Sequence, residues 1–176
     1  MRNNFDKNQI GDLINISNFF QSQICNTDTD FARCLKSFVP TIPTNFYESF
    51  INRIDYKAQE KLYQNISEST FNEIWDLCIA TDMNTKKQYT SLCAAGINGD
   101  YLNFLKDVGK YNPYVAEYAE LVEGAGDFAP TLYFTHTFFN SVSKSDLSDP
   151  NVQLIIAIHI LTIKDNTDRP KIEASI

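Results

Sequence analysis

What this chain has little of narrows its function before any motif is sought. Its 176 residues include only two histidines, His136 and His159. Histidine is the usual side chain for acid–base work and for metal ligation near neutral pH. Either role must therefore run through those two positions or through other residue types. There is no cluster of Lys and Arg of the kind a nucleic-acid backbone needs, and the formal net charge is −7. That balance favours solubility and argues against nucleic acid and anionic membranes as partners.

Long apolar runs are missing too. The longest, Leu154 to Leu161, is interrupted by His159 and falls far short of the roughly 20 residues of a membrane span. No membrane insertion is expected. The first residues, Met1-Arg2-Asn3-Asn4-Phe5-Asp6, lack the apolar stretch of a secretory leader. Two readings follow: a cytoplasmic protein, or a periplasmic or secreted one whose leader is gone.

Catalytic signatures are equally scarce. No HExxH or GxSxG occurs. Ser141, Ser143 and Ser145 follow an aromatic-rich segment without a nucleophile elbow. The segment Glu123-Gly124-Ala125-Gly126-Asp127 looks like a glycine-rich phosphate loop but lacks the lysine and third glycine. It reads as a turn between helices. No cofactor is expected.

What the chain does have is a core. Hydrophobic residues make up 43% and charged residues 21%, the balance of an ordinary folded domain. Thirteen Phe and nine Tyr supply large buried areas. The length suits one domain, expected over residues 1–165, with a loose polar tail at 166–176.

The pattern is helical, and an all-α bundle of about seven to nine helices joined in antiparallel hairpins is expected. Ile10, Leu13, Ile14, Phe20 and Ile24 define a first amphipathic helix from Asp6 to Ile24. Asp30 can cap a short helix carrying Phe31, Cys34, Leu35 and Phe38. After Pro40 and Pro43 another helix starts at Thr44, with Tyr47, Phe50, Ile51 and Ile54 on one face. Thr70-Phe71-Asn72-Glu73 reads as a capping box for a helix through Phe71, Ile74, Cys78 and Ile79, followed by a second helix from Lys86 to Ala95. Asp100 caps Tyr101 to Val108. Asn112-Pro113 and Asp149-Pro150 place a capping residue before a proline at the first helical position. With Pro130 they predict helices over 113–123, 130–143 and 150–165. No strand-type alternation of any length and no fixed-period repeat is read.

The four cysteines fall into two local pairs, with eight residues between Cys25 and Cys34 and fourteen between Cys78 and Cys93. Such spacing suits two short-loop disulfides and an oxidising compartment. No CxxC redox motif or zinc spacing is present. Four reduced core cysteines are the competing reading. The first pair would staple a helical corner; the second requires its second helix to be short or kinked.

Three constellations remain as candidate sites. Glu117, Glu120, Glu123 and Asp127 form an acidic ridge beside Tyr111, Tyr114 and Tyr118, a mixture suited to a basic protein partner. His136 and His159 lie level to within roughly 3 Å if their helices form a hairpin, with Glu117 at the same height. That would be the seat of a metal-binding or hydrolytic site. The bland alternative for His159 is a neutral core ring with one hydrogen-bond partner. The leading expectation is a non-catalytic protein-binding domain. In outline (small, acidic, helical, locally disulfide-bonded) the chain is similar to periplasmic immunity proteins that block cell-wall-degrading effectors. The likeness is one of architecture and composition, and its most concrete partner is a basic effector enzyme. The sequence leaves the oligomeric state open.

Overall fold

A computed structural model describes residues 1, 3–25, 29–40, 42–96, 99–142 and 147–171 of the chain. Among the described residues there are nine helices and one two-stranded sheet. The helices are α1 (Lys7–Ile24), α2 (Phe31–Phe38), α3 (Ile42–Ser49), α4 (Tyr56–Asn65), α5 (Glu68–Ile74), α6 (Asp100–Gly109), α7 (Pro113–Ala125), α8 (131–142) and α9 (Pro150–Asp168). A short 3-10 turn, Ile51–Arg53, joins α3 to α4. The strands are β1 (Trp75–Thr81) and β2 (Gln88–Ala94).

α9 is the centre of the molecule. It is buried along nearly its whole length, from Val152 through Leu154 to Thr162 and on to Asp165. A helix buried on every side belongs in the middle of a core, which explains its lack of an amphipathic pattern. α1 packs along it through Leu13, Ile16, Phe20 and Ile24. That stripe differs by one position from the expected one, since Ile14 is 49% exposed.

Most helix starts are dictated locally. Asp6 accepts hydrogen bonds from the Asn8 and Gln9 amides, and the Gln9 side chain returns to the Asp6 amide in a capping box. Asn112 and Asp149 cap α7 and α9, each with proline as the first helical residue. Gly126 ends α7 at φ 68°, where an L side chain is disfavoured. α9 runs on to Asp168, three residues beyond the expected end. Asp165, fully buried, receives a two-point bond from Arg169 at 2.6 and 3.1 Å. Residues 172–176 of the expected tail lie outside the described residues.

Three expected caps move. Ser67, not Thr70, caps α5 by accepting the Thr70 amide at 3.2 Å. Thr70 is buried, and its hydroxyl donates to Asp12 of α1. The same Asp12 oxygen accepts the Ser67 amide and hydroxyl, at 2.9 and 2.6 Å. Asp100 opens α6 as its first residue rather than its cap, and its amide donates to the Glu73 carboxylate. Pro130 precedes α8 as its cap instead of occupying its first turn.

The main correction concerns residues 75–94. The chain turns extended at Trp75, and where two helices were expected it forms an antiparallel hairpin. So the chain is mostly helical rather than all-α. The apolar positions Phe71, Ile74, Cys78 and Ile79 fit a helical face, but Trp75, Leu77, Ile79 and Thr81 fit a period of two equally well. Side chains at alternate positions share one face of a strand, and Trp, Ile, Thr and Tyr favour strands. The turn is closed by Asp82, whose carboxylate accepts the Asn84 and Thr85 amides at 2.9 and 2.8 Å. Its carbonyl accepts Lys86, which takes φ 59°.

Both cysteine pairs are bonded. Cys25, just past α1, joins Cys34 in α2 across a Cα–Cα distance of 5.8 Å. Cys78 and Cys93 are joined across 5.9 Å. Strand register opposes Cys78 to Ser91 and Cys93 to Asp76. The two cysteines are thus diagonal neighbours on one face of the hairpin, which removes the need for a bent helix. Two disulfides fit maturation in an oxidising compartment. Among the described residues, no helix is long and apolar enough to cross a membrane.

Candidate functional site

The acidic ridge survives in part. Glu117, Glu120, Glu123 and Asp127 are all exposed. Tyr118, expected beside them, is fully buried because it shares the inward stripe of α7 with Val115, Ala119 and Val122. Tyr111 is 61% exposed and Tyr114 half-buried. Two of the four carboxylates, Glu123 and Asp127, already have structural work. Glu123 pairs with Lys106 of α6 at 2.8 Å. Glu117 lies close enough to Tyr133 to act on its hydroxyl, whose pKa is pushed up to about 12 by burial and then by the Glu117 charge. Asp127 accepts the Ala94 and Phe128 amides at 2.8 and 2.7 Å, which ties the α7 exit to the base of β2. Glu120 projects into water beside Leu121, 38% exposed.

The histidines are not brought together as a site. His136 is exposed on α8, whereas His159 is 1% exposed at the middle of α9. Among the described residues no group of three His, Cys, Asp or Glu can hold a metal, so His136, His159 and Glu117 do not form the expected cluster. His159 Nδ1 shares a 2.7 Å hydrogen bond with the Tyr118 hydroxyl. Its ring stacks on Phe134 at 3.7 Å and an interplanar angle of 10°. Burial lowers its pKa to about 3, so the ring is neutral.

The Phe134 stack depends on an irregular turn in α8. Residues Phe134–Phe138 form a π-helical segment, and the Phe139 amide bonds to the Phe134 carbonyl five residues back. Thr135 supplies a local cause. Its hydroxyl donates to the Thr131 and Leu132 carbonyls at 3.0 and 3.2 Å, competing with main-chain amides for those acceptors. The wider turn lets Phe134, Phe138 and Phe139 all point inward, each at most 1% exposed. Ser141 is half-exposed; Ser143 and Ser145 lie outside the described residues.

The surface that sequence reasoning missed is the hairpin. Trp75 is fully buried, and its indole N–H donates to Thr162 of α9 at 2.8 Å. Leu92 and Ala94, on the partner strand, are buried as well. Beyond that base the same face of β1 enters solvent: Leu77 is 51% and Ile79 57% exposed, and Met83 at the tip 76%. The two edges also differ. On β2, the Asn166 amide of α9 accepts the Leu92 N–H at 2.7 Å and donates to the Leu92 carbonyl at 2.9 Å, in the manner of a third strand. On β1, β2 is the one strand partner among the described residues. The Leu77 amide is taken by the neighbouring Asp76 carboxylate at 2.7 Å. An unpaired edge with apolar side chains invites another strand.

Comparison with protein-family models, curated proteins and solved structures found no match to this chain.

Proposed function

We propose that this protein is a non-catalytic protein-binding domain of an oxidising compartment, periplasmic or extracellular, and that the β1 side of the hairpin is its contact element. The observation that carries the reading is the exposure of Leu77, Ile79 and Met83 on a disulfide-stapled hairpin whose inner edge is already capped by Asn166. Large apolar side chains gathered on one exposed element mark interaction surfaces. The acidic exit of α7 joins that element through the Asp127–Ala94 bond. A partner with an extended apolar segment and a basic flank would suit both features. An effector-neutralising protein acting on a basic enzyme is the most concrete form.

Affinity capture from the protein's own source tests this. The intact chain should retain a stoichiometric partner, and Ile79→Asp should lose it, with melting unchanged because Ile79 is solvent-exposed. Glu117→Lys with Glu120→Lys should weaken capture less, and more at low salt. Equal capture by wild type and Ile79→Asp would move the interface off the hairpin.

A further inference from the structure

The ladder of the hairpin settles which backbone groups of β1 face outward. The Asp82 amide donates to the Lys87 carbonyl at 2.9 Å, and the Ala95 amide to the Ile74 carbonyl at 3.1 Å. Both pairs continue the strand register, which sets Cys78 opposite Ser91. In an antiparallel pair only alternate residues exchange hydrogen bonds with the partner strand. The even-numbered residues of β1 therefore bond to β2, and Leu77, Ile79 and Thr81 turn their N–H and C=O groups away from it. β2 obeys the same parity, since its outward Leu92 and Ala94 amides are the ones held by Asn166 and Asp127.

The three outward residues of β1 are all exposed, so this edge is open to solvent over the length of a short strand. Their side chains share one face, on which Leu77 and Ile79 are apolar. The Leu77 amide has a local acceptor, the Asp76 carboxylate one residue back. Natural edges are commonly guarded by lysine or proline, and β1 has neither. From Ile74 through Thr85 the charged residues are Asp76 and Asp82, both acidic. Alternation puts both on the face opposite Leu77 and Ile79. Asp76 is exposed. Asp82 Oδ2 has Lys171 at 4.0 Å, the outer limit of an ion pair. The open edge is thus an uncharged run bracketed by two carboxylates.

We infer that β1, within the contact element proposed above, binds its partner by strand addition. An extended protein segment pairs antiparallel with Leu77, Ile79 and Thr81, carrying apolar side chains at alternate positions and a basic residue at each end. The outward amides and carbonyls supply the pairing, and the Leu77–Ile79 face receives the apolar side chains. The two basic residues stand opposite Asp76 and Asp82. As the Asp76 carboxylate turns to its cation, the Leu77 amide is released to a carbonyl of the incoming strand. Asp76 thus guards the edge until a basic strand arrives. A second copy of this chain fits poorly. Two β1 edges paired about Ile79 would set Asp76 against Asp82 at both ends, where like charges repel, and each copy carries a net charge of −7.

The probe is the peptide KVTITVK with blocked termini, titrated into the full isotope-labelled chain at low salt while backbone amides are followed by NMR. The Ile79 and Thr81 amides should shift saturably together, with a Kd on the order of 100 μM that weakens as salt rises. EVTITVE, with the end charges reversed, should bind at least tenfold more weakly. Methylating the isoleucine nitrogen of KVTITVK removes one pairing N–H and keeps every side chain, and it should also cost at least tenfold. Thr81→Pro removes one outward amide but keeps Leu77, Ile79 and Met83. It should match that loss with melting unchanged, because proline is tolerated where an edge N–H faces solvent. Equal binding of EVTITVE or of the methylated peptide, or unmoved Ile79 and Thr81 amides at about 1 mM KVTITVK, would overturn strand addition. The hairpin could then still be a contact through its side chains alone, which the capture experiment with Ile79→Asp reports separately. Self-association of the wild type that Thr81→Pro abolishes, with no peptide bound, would make the occupant a second copy and overturn the inference too. The wild-type titrations decide the case even if Thr81→Pro does not fold.

Discussion

The hairpin and the helical body are held by different means. In the body, α9 is wrapped on all sides, and its contacts are side-chain packing with a few internal hydrogen bonds. The hairpin has packing at its base, through Trp75, Leu92 and Ala94. Further out it relies on strand pairing, one disulfide and the Asp82 turn. An isolated two-stranded hairpin is marginal in water. This one stands because the body grips one strand and a covalent bond carries that grip to the other. The body thus owes its order to burial, and the hairpin owes its order to the body. An element with solvent-facing apolar side chains and few buried contacts is suited to a partner rather than to the fold.

The largest effect is expected where the two regions meet. Trp75 is fully buried, contacts Tyr63 and Phe71 at ring distances of 5.2 and 5.5 Å, and bonds to Thr162. Trp75→Ala should cost about 3–5 kcal/mol by urea denaturation, a loss to the body even though the residue begins a strand. Ile79→Ala, on the same face of the same strand, should cost well under 1 kcal/mol as an exposed substitution. Similar losses at both positions would erase the boundary between the two regions.

Acid should break the body through His159. Its folded pKa lies at about 3, depressed by burial, while an unfolded histidine titrates near 6.5. Between those values the unfolded chain binds the extra proton. Stability from the neutral ring is therefore complete above about pH 6.5 and is lost as pH falls toward 3. Asp12 acts in the same direction lower down. Burial opposes its ionisation, but hydrogen bonds from Ser67 and Thr70 outweigh that and hold its carboxyl below the usual range. Stability from Asp12 is present above the ordinary carboxylate pKa and falls away in stronger acid. Replacing His159 by Phe should flatten the pH 3–6.5 part of the stability profile, measured by denaturation at several pH values. An unchanged slope would mean that another group controls acid unfolding.

The helical body was largely legible from sequence because its signals are local. Asn112-Pro113 and Asp149-Pro150 announce helix starts by a side-chain acceptor and a ring that needs no amide partner, and Gly126 announces an end. The cysteine pairs were legible for the same reason, each being close in sequence. The hairpin was not. Seven-residue strands are too short for periodicity to separate them from a helix, and Ile79 fits both patterns. Asp82 with its two following amides was the available turn signal. The surroundings of His159 were legible only as a possibility, since its partners come from α7 and α8 and depend on a π-turn. Likewise, nothing in the sequence near Asn166 announces that its amide caps a strand 74 positions away.

The two disulfides give the finest test of the comparison. They close loops of similar length, with sequence separations of 9 and 15. Chain entropy alone assigns each about 3 kcal/mol through the unfolded state. Replacing either pair by serine should therefore lower global stability by a similar amount in urea. The difference should lie in the native state. Without Cys25–Cys34, α1 and α2 keep their buried residues and caps, so amide exchange in both helices should slow or quicken only with global stability. Without Cys78–Cys93, β1 loses the covalent tie to the strand the body holds. Amides from Ile79 through Thr90 should then exchange at least tenfold faster than global unfolding explains, while Leu92, clamped by Asn166, stays protected. Faster exchange that included Leu92 would show that the body does not grip β2 on its own. Unchanged exchange at Ile79 would show that strand pairing, rather than the disulfide, carries order out to the tip.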